Sequence, residues 1–222
     1  MATVGFIGSG RIGGTLARLS VAAGHTVVLS NSRSPDTLED LVAELGPMAR
    51  ACPPADAAEA GDLVVVATPL AAVRHVPVQP VVDKAVLDAN NYYAQRDGHI
   101  ADLDSGQITS SELLQRHLPG ASVVKVFNNI YYKHLLHLGR PSSDPTRSYL
   151  PIAGDNPQAT GAVAQFLDSI GYGAVDYGPL AESWRQQPGQ PVYGVPYGSY
   201  EDELGQPAGE NTIRVALAAA VR

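Results

Sequence analysis

The chain has 222 residues, of which 45% are hydrophobic and 17% charged, with one cysteine and a formal net charge of −7 at pH 7. This length suffices for one well-buried α/β domain, and the composition excludes a disordered chain and a coiled coil. The negative charge argues against binding nucleic acid or an anionic membrane surface, and a single cysteine excludes a disulfide framework and a cysteine-rich metal site.

The N-terminus enters a predicted strand at once, over residues 3–8. This leaves no room for the charged and apolar regions of a signal peptide. No stretch approaches the roughly 20 apolar residues that a membrane-spanning helix needs. We therefore expect a cytoplasmic protein with no membrane partner.

Helix and strand patterns alternate along the first half of the chain. Apolar residues at helical spacing predict a helix over 12–23, and a β-branched run predicts a second strand over 26–30. A further helix is predicted over 34–45, with Ser34 as its N-cap and Pro35 at its first position. Nearly continuous apolar runs predict buried strands over 62–68, 85–89 and 122–127.

The second half has longer irregular segments. Turn signals predict a loop over 91–106, followed by a short helix over 110–118. Two strands, over 149–153 and 173–177, enclose an amphipathic helix over 156–170. After a segment rich in Pro, Gly, Gln and Tyr, a last helix is predicted over 212–221.

This alternation predicts a Rossmann-type, doubly wound α/β fold: a mostly parallel sheet with helices on both faces and a short C-terminal extension. We expect one nucleotide-binding domain over 1–183. The tail and terminal helix, over 184–222, are expected to pack on the same domain.

A glycine-rich turn follows the first predicted strand. The pattern G-x-G-x-x-G is weak alone in a chain with 22 glycines. Here it also opens a helix that leads to a second strand, which is the context of a dinucleotide-binding turn rather than of an ordinary Gly-rich turn. The helix N-terminus offers N–H groups to the pyrophosphate. The residues expected to bind the dinucleotide are Gly8, Ser9, Gly10, Arg11 and Ile12, with Gly13 closing the pattern.

The end of the second predicted strand indicates which dinucleotide is bound. NAD-binding domains usually carry an acid there to bond the ribose 2′-hydroxyl. This chain has Asn31, Ser32 and Arg33 instead, and no acid before Asp36. Because a guanidinium grips a phosphate in bidentate fashion, these residues predict NADP(H). The alternative is that Arg33 is only a solvated surface residue.

The later strand ends supply more candidates. The segment Thr68-Pro69-Leu70 is expected beside the nicotinamide ribose, and the amides of Asn90 and Asn128 are suited to ribose hydroxyls or the carboxamide. Paired tyrosines at adjacent strand ends suit a flat aromatic substrate, although each of them fits a packing role equally well. The substrate-side candidates are Asn91, Tyr92, Asn129, Tyr131 and Tyr132.

Other chemistries find little support. His134 and His137 have a spacing that could ligate a metal, but no carboxylate lies nearby in sequence and the leucines between them favour helix packing. No hydrolase or kinase motif occurs. We expect no metal and assign no catalytic side chain.

Taken together, these motifs resemble the NADP oxidoreductases that use the deazaflavin coenzyme F420, a Rossmann family that includes the cytosolic domain of six-transmembrane ferric reductases. The resemblance runs to about residue 183. It implies that Ser32 and Arg33 hold the NADP phosphate, that the segment after Thr68-Pro69 lines the nicotinamide, and that 128–130 faces the hydride partner. Besides the glycine-rich turn, its markers are residues 31–33, 124–128, 153–155 and 176–180.

The expected activity is therefore hydride transfer between NADP(H) and a flat acceptor, with F420 as the first choice and a flavin as another. The segment Asn128-Asn129-Ile130-Tyr131 differs from the family's His-Thr-Ile-Pro-like segment, which leaves the acceptor open. One alternative is an NADPH-dependent reductase of a carbonyl, imine or flavin, with Tyr92, Tyr131 or His134 as proton donor. Another is a non-catalytic NADP(H)-sensing module. We expect a small-molecule redox partner and a homodimer.

Overall fold

The computed structural model describes residues 1–222. Its centre is an eight-stranded sheet with the order β3-β2-β1-β4-β5-β6-β7-β8. All neighbouring strands are parallel except β7, which runs antiparallel to β6. The predicted fold class is confirmed. The strands are β1 (Thr3–Ile7), β2 (Thr26–Ser30), β3 (Ala49–Ala51), β4 (Leu63–Val66), β5 (Ala85–Asp88), β6 (Ser122–Lys125), β7 (Tyr149–Gly154) and β8 (Gly173–Asp176).

Helices connect these strands, and α6 and α8 begin at polar caps. The side chain of Thr109 accepts from the N–H of Glu112 and forms a capping box, and that of Asn156 accepts from Gln158. The helices are α1 (Arg11–Ala22), α2 (Glu39–Leu45), α3 (Pro54–Ala60), α4 (Ala94–Asp97), α5 (Ala101–Asp104), α6 (Ser110–His117), α7 (Tyr132–His137), α8 (Pro157–Ser169) and α9 (Glu210–Ala218).

Several sequence predictions were wrong in detail. The helix expected over 34–45 is a 3-10 turn, Pro35–Leu38, followed by α2, although Ser34 does cap it by accepting from Asp36 N–H. The expected loop over 91–106 contains α4 and α5. Strand β3 and helices α3 and α7 were missed. A strand of three residues or a helix of one or two turns is too short to show a hydrophobic period.

The two faces of the sheet are covered by separate apolar clusters. Successive residues of β4 alternate between them: Val65 belongs to the larger cluster, whereas Val64 and Val66 belong to the smaller one. This is the period of a strand buried on both faces. With both faces covered, the carboxyl ends of the parallel strands are the edge that remains available for a site.

The tail after β8 returns to that edge. Its first part is a 3-10 turn, Leu180–Gln186, and its later part is bonded to the loop that follows β6. There the N–H of Gly194 donates to Asn129 O at 2.8 Å, and Asn129 Nδ2 donates to Val192 O at 3.0 Å. None of the helices has the length and apolar character needed to cross a membrane.

Candidate functional site

The turn between β1 and α1 requires glycine at two positions and leaves a third one open. Gly8 has φ +102°, and a Cβ there would lie 2.4 Å from the backbone oxygen of Ala67. A Cβ on Gly13 would lie 2.0 Å from the backbone oxygen of Gly8. No heavy atom lies within 4 Å of the place where a Cβ on Gly10 would be. The space above Gly10 is therefore free for a close approach by a ligand.

The N-terminus of α1 is not capped from within the chain. Gly10 occupies the N-cap position, and no side chain bonds the N–H groups of the first turn. The Ser9 hydroxyl instead donates to Ser30 O at 2.8 Å. Unpaired N–H groups at the positive end of a helix suit a phosphate, so this turn fits the pyrophosphate of a dinucleotide.

On one side of the turn is a cleft of about 470 Å³ that includes Arg33 and Ser32. Asn31 shapes this corner, because its Oδ1 accepts from the N–H of Arg33 and its Nδ2 donates to Thr37 Oγ1, both at 2.8 Å. The Arg33 side chain is exposed and takes part in none of the chain's salt bridges. Its guanidinium is thus free to bind an anion.

A hydrogen bond to a side chain joins the residues that follow β4 and β5. The Thr68 N–H donates to Asn90 Oδ1 at 3.0 Å. The Oγ1 of Thr68 and the Nδ2 of Asn90 are buried without a partner, which fits a ligand that supplies the missing bonds. Of the neighbouring candidates, Pro69 is exposed, but Leu70 is 2% exposed and packs in the smaller apolar cluster. The structure thus places the Leu70 side chain in the core.

A buried ion pair lies beneath this edge. Lys125 Nζ, at the end of β6, is 3.2 Å from Asp88 Oδ2, at the end of β5, and also donates to the backbone oxygen of Asn90. Ser111 Oγ donates to the same carboxylate oxygen at 2.7 Å. Burial lowers the pKa of the Lys125 ammonium, and Asp88 opposes that shift. Neither residue was predicted from sequence as part of the site, although a lysine inside an apolar run was a usable signal.

The loop after β6 bends sharply at Phe127. This fully buried residue has φ +66°, a left-handed conformation that is unusual for a residue other than glycine. The bend turns Asn128 toward Asn91, so that Asn128 Nδ2 donates to Asn91 Oδ1 at 3.0 Å. In return, Asn91 Nδ2 donates to Asn128 O at 2.8 Å. The two amides lock the ends of β5 and β6 together.

On the other side of the glycine-rich turn is a cleft of about 520 Å³, lined by five tyrosines and called the tyrosine cleft. It begins at Arg11 and Ile12 and ends against the tail. It brings together most of the predicted substrate-side residues, and two of its tyrosines, Tyr193 and Tyr200, come from the tail. The lining residues are Arg11, Ile12, Ala89, Asn91, Tyr93, Asn128, Asn129, Ile130, Tyr131, Tyr132, Tyr193 and Tyr200.

Tyr92 is the one substrate-side candidate outside this cleft. Its hydroxyl donates to Asp104 Oδ1 at 2.6 Å and accepts from the N–H of Ile100 at 3.1 Å. Its neighbour Tyr93 lines the cleft instead. Adjacent residues of an extended chain point to opposite sides, so only one of the pair can face the cleft.

Tyr93, Tyr193 and Tyr200 were missed as individual site residues. The phenolic oxygens of Tyr93 and Tyr193 are 2.5 Å apart, and Asn91 Nδ2 donates to the Tyr193 oxygen at 3.3 Å. Burial, followed by the bond to Tyr93, raises the pKa of Tyr193 well above its usual range. For Tyr193 and Tyr200 the tyrosine content of the tail was the only signal in the sequence, and it carried no information on where these rings lie.

The side chains of His134 and His137 do not lie together at one site. His134, on α7, is fully buried with Nε2 2.6 Å from the backbone oxygen of Asp202, whereas His137 is exposed. No group of three His, Cys, Asp or Glu residues is placed to hold a metal ion. The His134 ring also lies outside the residues that line the tyrosine cleft, so it has no access to a substrate there.

Comparisons with known proteins bear on the family and the enzyme class of the chain. The sequence model of the family described as NADP oxidoreductase, coenzyme F420-dependent, matches residues 3–92. Hypothetical protein SMa0349 from Sinorhizobium meliloti is 31% identical over 88% of this chain and 94% of its own, with a TM-score of 0.75. The chain belongs to this family of F420-dependent NADP oxidoreductases. The resemblance inferred from the motifs and the expected enzyme class, an NADP-dependent oxidoreductase, are both confirmed.

Two further proteins are similar to this chain in fold or in sequence. A candidate F420-dependent NADP reductase of Arthrobacter sp. FB24 has the same fold, with a TM-score of 0.69 at 23% identity, over 82% of this chain and 87% of that one. Protein YjhV of Escherichia coli (strain K12) is 37% identical over 57 residues. That match covers 26% of this chain and 42% of YjhV.

Proposed function

We propose that the chain transfers a hydride between NADP(H) and a flat conjugated acceptor, and that this acceptor is the deazaflavin coenzyme F420. The observation that carries the proposal is the continuity of the site. The tyrosine cleft begins at Arg11 and Ile12, the first two residues of α1, which follow directly on the turn at Gly8–Gly10. A ligand that crosses this turn with its phosphate at Arg33 would present its other end to five tyrosine rings.

When bound, NADPH supplies the hydride, and the chain supplies binding and alignment. The first turn of α1 binds the pyrophosphate, and Ser32 and Arg33 bind the 2′-phosphate. Asn90 and Thr68 offer their unpartnered atoms to the nicotinamide half. The tyrosines hold a planar acceptor by stacking and edge contacts and keep water from the space between the reactants. Hydride transfer between two cofactors needs no metal and no covalent nucleophile.

The test is stopped-flow mixing of the protein and NADPH with oxidised F420, followed by the loss of deazaflavin absorbance. We expect single-turnover bleaching with NADPH and much slower bleaching with NADH. Intact deazaflavin absorbance at saturating NADPH would exclude F420 as the acceptor. Matched runs with a free flavin would then decide whether another flat acceptor takes its place.

A second candidate is an NADPH-dependent reductase of an imine or a carbonyl. The hydrogen-bonded phenols of Tyr93 and Tyr193 favour it, because such substrates require a proton at the heteroatom. Of the donors expected from sequence, Tyr92 and His134 face away from the cleft, and Tyr131 lines it. If a cyclic imine oxidises NADPH in the presence of the protein and F420 does not, the result would favour an imine or carbonyl reductase.

A protein that binds NADPH tightly but oxidises it with no deazaflavin, flavin, imine or carbonyl would instead be an NADP(H)-sensing module. A small-molecule redox partner follows from the proposed reaction. The cytoplasmic location and the homodimer stay predictions.

A further inference from the structure

One pair of phenols in the tyrosine cleft is bonded unlike the rest. Tyr93 follows β5 and Tyr193 lies in the tail, and their oxygens are 2.5 Å apart. Tyr131, Tyr132 and Tyr200 make edge-to-face ring contacts instead, with Tyr131 5.2 Å from Tyr200 between ring centroids. The phenolic oxygens of Tyr93 and Tyr193 thus face each other on one wall of the cleft.

The direction of the bond between Asn91 and Tyr193 follows from its donor, whereas in the bond between the two phenols either oxygen can donate. Asn91 Nδ2 can only donate, so the Tyr193 oxygen accepts this bond at 3.3 Å. Asn91 is held in that orientation because its Oδ1 accepts from Asn128 Nδ2. The Tyr193 proton is then free to point to Tyr93 or into the cleft. Tyr93 has no other hydrogen-bond partner for its hydroxyl, and the Arg96 guanidinium lies 4.9 Å from its ring centroid.

We propose that Tyr193 is a catalytic proton donor to the acceptor and that Tyr93 is the positioning residue that restores its proton. This inference rests on the proposed function, and it adds a chemical step to it. It applies to any acceptor in which the carbon that receives the hydride is conjugated to a nitrogen or an oxygen, deazaflavins and imines included.

The step balances in electrons and protons. The hydride forms a C–H bond at the acceptor carbon, and the displaced π electrons move to the conjugated nitrogen or oxygen. That atom takes the proton from Tyr193 as the phenolic O–H bond breaks. Tyr93 reprotonates Tyr193 across their hydrogen bond, and solvent water reprotonates Tyr93 through the open end of the cleft. In the reverse direction the same pair accepts the proton.

The charged and titratable groups around Tyr193 are Tyr93, Tyr200 and Arg96. Burial is the main cause that raises the pKa of Tyr193, and Arg96 acts in the opposite direction. The phenol therefore stays protonated across the neutral range and parts with its proton only when an atom in the cleft becomes basic. A donor of this kind gives a rate that does not depend on pH near neutrality.

The experiment compares Tyr193→Phe and Tyr93→Phe with the control Tyr92→Phe, which removes a neighbouring hydroxyl outside the cleft. Single-turnover oxidation of NADPH by F420 is measured over a range of pH in light and heavy water. We expect Tyr193→Phe to slow transfer by about 10²-fold or more, as the loss of a general acid does. Tyr92→Phe should keep the rate, and all three variants should keep the Kd for NADPH.

Two readouts separate a proton donor from a structural contact. In Tyr193→Phe the rate should fall as pH rises, and small acids such as imidazolium should restore part of it, because the proton then comes from solution. In the free protein, the proton resonance of the hydrogen bond between the two phenols should disappear in both cleft variants and persist in Tyr92→Phe.

The possible results are distinct. A Tyr193→Phe protein with the wild-type rate overturns the donor assignment and leaves the proposed function standing. So does a slow variant whose rate keeps the wild-type pH profile and does not respond to added acid. Failure of the wild-type protein to oxidise NADPH with F420, a flavin or a cyclic imine overturns both.

Discussion

Lys125 and Asp88 form an ion pair in which neither side chain is exposed, with Nζ 3.2 Å from Oδ2. The pair joins the ends of β5 and β6 directly beneath the amides that line the tyrosine cleft. Lys125 Nζ also donates to the backbone oxygen of Asn90, so the ion pair helps to hold the backbone just before Asn91.

Replacement of Lys125 by methionine should destabilise the protein. Asp88 would then be a buried charge without a countercharge, which costs about 3–5 kcal/mol of unfolding free energy. Urea denaturation measures this loss. The double variant Lys125→Met with Asp88→Asn should be more stable than the single one, because it removes the uncompensated charge. Equal losses in the two variants would contradict this account of the pair.

Replacement of Arg33 by alanine should weaken NADPH binding by roughly 1.5–3 kcal/mol, the range for a charge-assisted hydrogen bond to a phosphate. NADH, which lacks the 2′-phosphate, should lose little affinity. Calorimetric titration of both nucleotides gives the comparison. Arg33→Lys is the matched control, since it keeps the charge and loses the bidentate geometry, and it should fall in between. An equal loss for both nucleotides would show that Arg33 does not contact the 2′-phosphate.

Gly10 and Gly13 should respond in opposite ways to alanine. At Gly10 the added methyl group meets no atom of the chain, so Gly10→Ala should keep the thermal stability and lose NADPH affinity. At Gly13 the methyl group would lie 2.0 Å from the Gly8 oxygen, so Gly13→Ala should lose about 1–3 kcal/mol or more of stability, as overpacking does. Thermal melts with and without NADPH test both. A Gly10→Ala protein with wild-type affinity would place the pyrophosphate elsewhere.

His25 should make the stability depend on pH. Its Nδ1 accepts from the N–H of Ala2, and Ser169 Oγ lies 2.8 Å from Nε2 while donating to Phe166 O. Both ring nitrogens are thus satisfied in the neutral form, and burial lowers the pKa of His25 below its usual 6.5.

The unfolded chain therefore binds more protons than the folded one below that value. The stability is fully present above about pH 6.5 and is lost as the pH falls through the lowered pKa of the folded state. Denaturation curves at several pH values check this, with His25→Gln expected to reduce the dependence. A stability that rises toward acidic pH would refute it.

The local setting of the predicted cofactor half of the site was predictable from the sequence. Its residues lie within short, regular stretches, so Gly8 and Gly10 could be placed on a turn and Arg33 at a strand end from local patterns alone. The other half was not, because it depends on contacts between distant segments. Tyr193 meets Tyr93 across a hundred residues, and no local period encodes this.

Other omissions have local causes. Whether Tyr92 or Tyr93 faces the cleft depends on a single step of backbone register after β5. The left-handed conformation of Phe127, which aims Asn128 at Asn91, has no sequence signal because the residue is not glycine. Leu70 was expected beside the nicotinamide ribose, but its apolar side chain packs in the smaller apolar cluster instead.

The arrival of Tyr193 and Tyr200 from the tail has an evolutionary consequence. The cleft that includes Arg33 is lined by residues within 7–76, whereas the tyrosine cleft is completed by residues near the end of the chain. If the proposed function holds, insertions, deletions or substitutions in the tail can change the acceptor that is reduced without altering the cleft that includes Arg33. A lineage built on this scaffold can diversify its chemistry one segment at a time.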